Sequence, residues 1–184
     1  GKTTVFVTHD QVEAMTMGER ICILRDGEIM QVGRPLEVYD NPVNIFVARF
    51  LSSPPMNILP ATLADGQIST EIAHFDLAPG QKHAYAEAQT RPLMLGIRAE
   101  DFYAEPAPGR VPVRGRLQVI EALGAENILI LDLAGQQIAA RVDRRFLPEV
   151  GDEIVLHLDV DSIHLFDAET EMAFARPDPE SLRA

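Results

Sequence analysis

A change of pattern at Ser52-Ser53-Pro54-Pro55 constrains the fold of this chain more than any other feature. Before this stretch, strand patterns alternate with helix patterns, whereas after it short strand patterns follow one another. Serine and proline in a row interrupt helices and strands alike and are typical of a linker. The sequence therefore predicts two parts, residues 1–52 and residues 53–184, and an α+β fold overall.

The first part has the pattern of the end of an α/β sheet. Val5–Thr8 is apolar and β-branched and predicts a buried strand. Gln11–Met17 has helical spacing and follows Asp10, a residue that caps helices well. Ile21–Leu24 predicts a second strand that turns at Asp26-Gly27, a pair that favours tight hairpins. This order predicts the tail of an α/β sheet that lacks its beginning.

Two helix patterns complete the first part. Pro35 is well placed to start a helix that continues to about Asp40, and Val43–Leu51 carries apolar residues at helical spacing. Cys22 lies within the second strand, where we expect it in the core. It is the only cysteine, so the chain has no internal disulfide.

Short strands separated by turn residues fill the second part. Asp65-Gly66, Pro79-Gly80 and Ala134-Gly135 are among the turn pairs. Several short strands at this spacing predict a small β barrel or a pair of barrels. The strand candidates are Asn57–Ala64, Gln67–Glu71, His74–Leu77, Leu93–Arg98, Val111–Leu123, Asn127–Leu133, Gln137–Val142, Glu153–Asp159 and Ser162–Phe166.

The charge of the chain excludes one class of partner. It has 28 acidic and 16 basic residues, a formal net charge of −12, and no basic run longer than Arg144-Arg145. Nucleic-acid-binding proteins carry a basic patch that neutralises phosphates, so we expect no nucleic acid partner. The apolar runs are only a few residues long, far short of the roughly 18 that a membrane helix needs.

His9 is the candidate catalytic residue. It follows the Val5–Thr8 pattern, at the carboxyl end of a predicted strand, where open α/β sheets place their ligand crevice. An imidazole at that place can donate a hydrogen bond to a phosphate oxygen. The alternative is a histidine that only satisfies the polar groups at a strand end.

Several stretches match the sequence pattern of one family. The most specific are Val7–Met15, Arg20-Ile21, Gly27–Gly33 and Pro35–Tyr39. Looser matches follow at Asn41-Pro42, Phe46–Ala48, Phe50–Pro54, Met56-Asn57, Gly96–Arg98, Val119, Glu121, Leu123-Gly124, Glu126 and Ile163–Asp167, so the matches span nearly the whole chain. By these residues the chain resembles the nucleotide-binding subunits of ATP-binding-cassette (ABC) importers, in the branch that serves maltose, other sugars and glycerol phosphate.

The resemblance implies a fold and a function. Residues 1–52 would end an α/β P-loop ATPase domain, and residues 53–184 would form an all-β, OB-fold-like regulatory barrel of the TOBE or MOP-like kind. His9 would be the switch histidine, which contacts the γ-phosphate of ATP when two subunits close on the nucleotide. The intact subunit would use ATP and Mg²⁺, pair with a second copy, dock on transmembrane permease subunits at the cytoplasmic face of the inner membrane, and respond to regulatory proteins.

Most motifs of an ATPase are missing from the sequence. There is no G-x-x-x-x-G-K-[ST] loop, no Walker B strand and no signature motif. Gly1-Lys2-Thr3-Thr4 imitates the end of a phosphate loop, but a strand pattern follows where a helix should begin. By the resemblance the chain is therefore a C-terminal fragment, produced by truncation or proteolysis. We expect it to hold no cofactor and to hydrolyse no ATP by itself.

The remaining site candidates lie in the second part. Arg98 and Glu100 are expected to form a structural ion pair or a contact between the two parts, with Ala99 at a position where the family usually has proline. Glu121, Gly124 and Glu126 are regulatory or structural candidates, and we favour a plain hairpin.

Two alternative functions rest on other patterns. His157, Asp159 and Asp161 alternate along a strand and could be drawn as a metal site with His164. Every second side chain of a barrel strand faces solvent, which explains these polar residues more simply, so we expect no metal site. The whole second part is alternatively a small-ligand-binding barrel for an oxyanion or a sugar.

Overall fold

The structure is a computed structural model that describes residues 3–176. Gly1 and Lys2, which belong to the phosphate-loop-like start, and residues 177–184 lie outside the described residues. The first part contains three short helices and one hairpin. They are α1 (Gln11–Met17), β1 (Ile21–Arg25), β2 (Glu28–Gly33), α2 (Pro35–Asp40) and α3 (Ile45–Phe50).

Local sequence signals place the elements of the first part. The Asp10 carboxylate accepts hydrogen bonds from the backbone nitrogens of Val12 (2.7 Å) and Glu13 (3.1 Å), which caps α1 as predicted. Asp26 and Gly27 have φ values of 52° and 86°, the left-handed conformation that a two-residue hairpin needs. The predicted first helix and the predicted hairpin are therefore confirmed.

The predicted strand at Val5–Thr8 is wrong. These residues pair with no strand among residues 3–176, and Val5 and Val7 are 87% and 89% exposed. A strand forms only when a neighbour accepts its backbone hydrogen bonds. Strand β1 does not supply them, because within the described residues it pairs only with β2, in an antiparallel hairpin. The described residues therefore do not show the predicted remnant of an α/β P-loop sheet.

The expectation for Cys22 is also wrong. Along β1, Ile21 and Ile23 are buried whereas Cys22 and Leu24 are exposed. Successive side chains of a strand point to opposite faces, and only one face of this hairpin packs against a core, which Val38 and Val47 share. Cys22 lies on the other face.

The second part consists mainly of two five-stranded sheets. The order in the first is β10-β9-β8-β11-β7, the order in the second is β12-β6-β3-β4-β5, and all neighbours are antiparallel. The strands are β3 (Asn57–Ala64), β4 (Gln67–Ser69), β5 (His74–Asp76), β6 (Leu93–Ile97), β7 (Phe102–Tyr103), β8 (Arg110–Ala122), β9 (Glu126–Leu133), β10 (Gln136–Asp143), β11 (Glu153–Asp159) and β12 (His164–Asp167).

The predicted strands of the second part are confirmed, with two additions. A short helix, α4 (Pro79–Ala84), begins where Pro79-Gly80 predicted only a turn. Strand β7 is two residues long and pairs with β11 after a 3-10 turn at Ala99–Asp101. No helix among residues 3–176 has the length and apolar character to cross a lipid bilayer.

One apolar core is shared by the two sheets. It collects the inward-facing side chains of both, such as Leu59 and Leu95 from one sheet and Leu129 and Leu156 from the other. The buried Asn57 amide connects the two sheets, because its Nδ2 donates to the backbone oxygens of Ile97 (3.1 Å) and Ala139 (2.9 Å). The Ala139 nitrogen donates back to Asn57 Oδ1 at 2.8 Å. A single side chain thus takes the place of a strand partner for β10.

The first part is attached to the second through the segment that follows β12. The backbone nitrogen of Ile45 donates to Glu171 at 3.1 Å, and that of Ala173 donates to Val43 at 2.9 Å. Ala48 of α3 packs with Met56 and Phe166 in a small buried cluster. These contacts bring the end of α2 and the end of α3 next to the residues that follow β6.

Candidate functional site

Arg98 forms the centre of a buried junction between the two parts. It follows β6 and is only 4% exposed. Its guanidinium group lies 3.6 Å from the centroid of the Tyr39 ring and donates hydrogen bonds to Ser52 Oγ and to the Tyr39 backbone oxygen. Both partners come from the first part, so one arginine of the second part fixes the ends of α2 and α3.

Glu100 takes part in the same junction through Tyr39. The Tyr39 hydroxyl donates a hydrogen bond to Glu100 Oε1. The residues described contain no direct ion pair between Arg98 and Glu100. Instead, Arg98 stacks on the Tyr39 ring and Glu100 accepts from the Tyr39 hydroxyl. The geometry is that of a contact between the two parts. Its regulatory role stays a prediction.

Burial shifts the pKa values of three groups in this junction. Burial, together with the hydrogen bond to Glu100, raises the pKa of Tyr39 to about 12. Burial lowers the pKa of Arg98, an effect that nearby anionic groups oppose. Burial, followed by repulsion from Glu100, raises the pKa of Asp101 to about 7. Asp101 is therefore a carboxyl group that changes charge near neutral pH.

The position of Ala99 is compatible with the proline that the family usually has there. Ala99 is buried and opens the 3-10 turn Ala99–Asp101. Arg98, directly before it, has φ −75° and ψ 153°, the extended conformation that a residue before proline adopts. The turn thus keeps its shape without the ring that would make it rigid.

His9 lies apart from this junction. Its side chain is exposed and makes no hydrogen bond, ion pair or ring contact within residues 3–176. The residue just after it, Asp10, caps α1, so the imidazole sits at the start of a helix rather than at a sheet edge. The structure leaves its predicted role in catalysis as a prediction.

Glu121, Gly124 and Glu126 lie at the β8–β9 turn. Gly124 has φ 89°, and the backbone nitrogen of Leu123 donates to the Glu126 oxygen at 2.9 Å, which closes the hairpin. The Glu126 carboxylate is 3.5 Å from Arg141 Nε, and Glu121 is exposed. The predicted hairpin is confirmed, and a regulatory role for these residues stays a prediction.

The histidines of the second part show no metal site. No group of three or more His, Cys, Asp or Glu side chains is close enough to hold an ion within the part of the chain that the structure describes. His157 and Asp159 are half-buried and alternate with the buried Leu156 and Leu158. His164 is buried and stacks on Phe166, and burial lowers its pKa well below the usual value.

Comparison with known proteins decides the family. Residues 53–102 match the family model of the MalK OB fold domain, and residues 95–166 match that of the TOBE domain. The trehalose/maltose import ATP-binding protein MalK of Thermococcus litoralis is 41% identical over 94% of this chain and 49% of its own length. The oligosaccharides import ATP-binding protein MsmX of Bacillus subtilis is 36% identical over 92% of this chain and 48% of its own length. The chain therefore has the MalK OB fold and TOBE domains, and its homologues are ATP-binding subunits of ABC transporters.

A further import protein and one solved structure are also similar to this chain. The sn-glycerol-3-phosphate import ATP-binding protein UgpC of Escherichia coli O157:H7 is 37% identical over 91% of this chain and 47% of its own length. The chain therefore spans about half the length of these relatives. A solved structure of the cytoplasmic molybdate-binding protein ModG aligns with 59% of this chain and 94% of its own chain, at 13% identity and a TM-score of 0.48.

Sequence reasoning missed most members of the junction. Arg98 and Glu100 were singled out, but Tyr39, Ser52 and Asp101 were not. The contacts from Arg98 to Tyr39 and Ser52 join residues 59 and 46 positions apart in the chain. The one usable signal is the placement of an arginine directly after an apolar strand, which indicates a buried cation in need of partners.

Proposed function

We propose that this chain is the C-terminal regulatory part of the ATP-hydrolysing subunit of an ABC importer for a sugar or a related solute. The observation that carries the proposal is the match to import ATP-binding proteins along 91% to 94% of the chain, with the OB fold and TOBE domains in its second part. Residues 1–52 would end the nucleotide-binding domain, and residues 53–184 would be the regulatory domain.

In the proposed subunit, most of the nucleotide site would come from residues outside this sequence. The sequence has no phosphate-binding loop to supply backbone nitrogens to a triphosphate, and His9 is the one side chain proposed to reach the nucleotide. In the whole subunit, ATP with Mg²⁺ would supply the transferable phosphoryl group. The exposed His9 imidazole is free to donate a hydrogen bond to a γ-phosphate oxygen and to orient it.

The second part would act in subunit pairing and regulation. The buried Arg98 junction supports this proposal, because it connects the sheets of the second part to the ends of α2 and α3. A partner that moves the barrels would therefore also move the segment that follows His9. The partners that we propose are a second copy of the subunit, transmembrane permease subunits and regulatory proteins, at the cytoplasmic face of the membrane.

The test uses the intact subunit with His9→Ala. We expect the variant to bind ATP with unchanged affinity but to lose most of its turnover, because a contact to the γ-phosphate acts mainly in the transition state. The matched control is His83→Ala, another exposed histidine, in α4, which should leave both quantities unchanged. Phosphate release and equilibrium nucleotide binding measure the two effects. Unchanged turnover in His9→Ala would remove His9 from the mechanism.

A further inference from the structure

A polar cleft lies beside the Arg98 junction. It has a volume of about 520 Å³ and opens between the segment that contains β7 and the carboxyl end of β10. Its charged and aromatic lining comes from Glu100, Tyr103, Glu105, Arg141, Asp143 and Arg145. This volume falls within the roughly 300–1,000 Å³ that small-molecule sites occupy in proteins.

Several polar groups of the cleft have unused hydrogen-bonding capacity. The side chains of Glu105 and Arg145 make no hydrogen bond or ion pair within residues 3–176. Arg141 Nη2 donates to the Ser53 backbone oxygen, but Arg141 Nε is buried without a hydrogen bond. Its ion-pair partner, Glu126 Oε1, lies 3.5 Å away. A carboxylate that only accepts and a guanidinium group that only donates thus face one cavity.

The charges of the lining favour a neutral ligand over an ion. Three carboxylates (Glu100, Glu105 and Asp143) face two guanidinium groups (Arg141 and Arg145), so neither sign dominates. The chain as a whole carries a formal net charge of −12, which repels anions. A hydroxyl group is both a donor and an acceptor, so a polyhydroxylated molecule satisfies carboxylates and guanidinium groups side by side.

We propose that this cleft binds a neutral carbohydrate of one or two rings. The half-buried Phe146 provides apolar surface for the ring, and the charged groups accept and donate to its hydroxyls. Tyr103 contributes the edge and the remaining face of its ring, because the Arg110 guanidinium group covers the other face at 3.3 Å from the centroid. OB-fold barrels bind oligosaccharides on their strand and loop surfaces, so the ligand class suits the scaffold. The inference concerns the second part alone and does not depend on the transport function proposed above.

Two lining residues would connect a bound sugar to the junction. Glu100 lines the cleft and also accepts the hydrogen bond from the Tyr39 hydroxyl. Arg141 lines the cleft and donates to Ser53, at the start of the second part. A sugar that binds these groups changes the contacts that hold the first part against the barrels. The two equilibria are linked: the factor by which the bound sugar shifts the opening of the junction equals the factor by which opening the junction shifts the sugar affinity.

The test titrates the complete 184-residue chain with glucose and with maltose by calorimetry. We expect saturable binding below about 10 mM, with affinity reduced about tenfold in Arg145→Gln and in Glu105→Gln, the loss of about 1.4 kcal/mol. The matched controls are Arg116→Gln and Glu87→Gln, two exposed residues outside the cleft, which should bind as the wild type does. Tyr39→Phe, which removes only the hydroxyl, should also change the affinity.

Three outcomes would overturn the proposal. The first is no binding of either sugar at about 10 mM, a concentration well above a millimolar dissociation constant. The second is unchanged sugar affinity in both Arg145→Gln and Glu105→Gln, which places the binding elsewhere. The third is tighter binding of molybdate or glucose 6-phosphate than of the neutral sugars, which contradicts the ligand class. All three leave the ATPase test of His9 unaffected.

Discussion

Replacement of Arg98 by alanine should separate the two parts of the molecule. The wild-type side chain makes two hydrogen bonds across the junction, to Ser52 and to the Tyr39 backbone, and stacks on the Tyr39 ring. Hydrogen bonds to a charged group contribute about 1.5–3 kcal/mol each. A desolvated cation over an aromatic ring adds about 2 kcal/mol. The cost of burying the guanidinium group, which lowers its pKa, offsets part of this gain.

The expected net loss follows from these opposing contributions. Alanine also leaves Glu100 and Asp101 without the cation that faces them, and breaking one side of a buried charged contact typically costs about 3–5 kcal/mol. We therefore expect Arg98→Ala to lower the free energy of unfolding by about 3 kcal/mol. Arg98→Lys should lose somewhat less, because it keeps the charge but not the planar, forked geometry.

Urea unfolding with two probes measures the effect. A probe in the first part should report an earlier transition in Arg98→Ala than a probe in the barrels, whereas the two transitions should coincide more closely in the wild type. The control Arg116→Ala, at an exposed position of β8, should change the free energy by less than about 0.5 kcal/mol. A loss below about 1 kcal/mol for Arg98→Ala, or two probes that shift together, would refute the importance that we assign to this junction.

The other predictions concern single residues near the junction. The pKa of Asp101 is raised from 3.8 to about 7, so its ionisation opposes folding: this destabilising contribution should be absent below about pH 4, grow as the pH rises to about 7, and reach at most about 4 kcal/mol at alkaline pH. Asp101→Asn should remove most of this contribution in pH-dependent urea unfolding, and an unchanged pH profile would contradict the assignment. Gly96→Ala should lower the free energy of unfolding by about 1–3 kcal/mol, because the added Cβ would lie 2.7 Å from Met56 Sδ and Phe166 Cε2. An unchanged urea midpoint would mean that these two side chains move aside at no cost. Ala99→Pro should raise the melting temperature by about 1–4 °C through a more rigid unfolded chain, whereas a lower one would mean that the turn rejects the ring.

Predictions from local sequence succeeded where neighbouring residues decide the structure. The Asp10 cap, the Asp26-Gly27 turn and the alternation of β3 depend on contacts within a few residues of each other. Helix α4 was missed because Pro79-Gly80 was interpreted as a turn, although proline also starts helices well. Strand β7 was missed because two residues carry no periodic pattern.

Predictions failed where a distant partner decides the structure. Val5–Thr8 has the composition of a buried strand, yet a strand needs a neighbouring backbone, and none of the described residues provides one. Cys22 has apolar neighbours along the chain, yet its burial depends on what covers that face of the hairpin. The composition of a segment indicates its preference for a strand, but not whether a neighbouring strand or a covering core is present.

The sequence by itself predicted nearly all the strands of the second part and the family of its homologues, because turn residues, apolar alternation and motif spacing are properties of the chain alone. Only the tertiary structure showed that Arg98 donates hydrogen bonds to Tyr39 and Ser52. It also showed that Glu100 contacts Tyr39 in this junction and lines the cleft. The physical reason is that a buried cation must find its partners in space, and folding brings together residues that lie tens of positions apart.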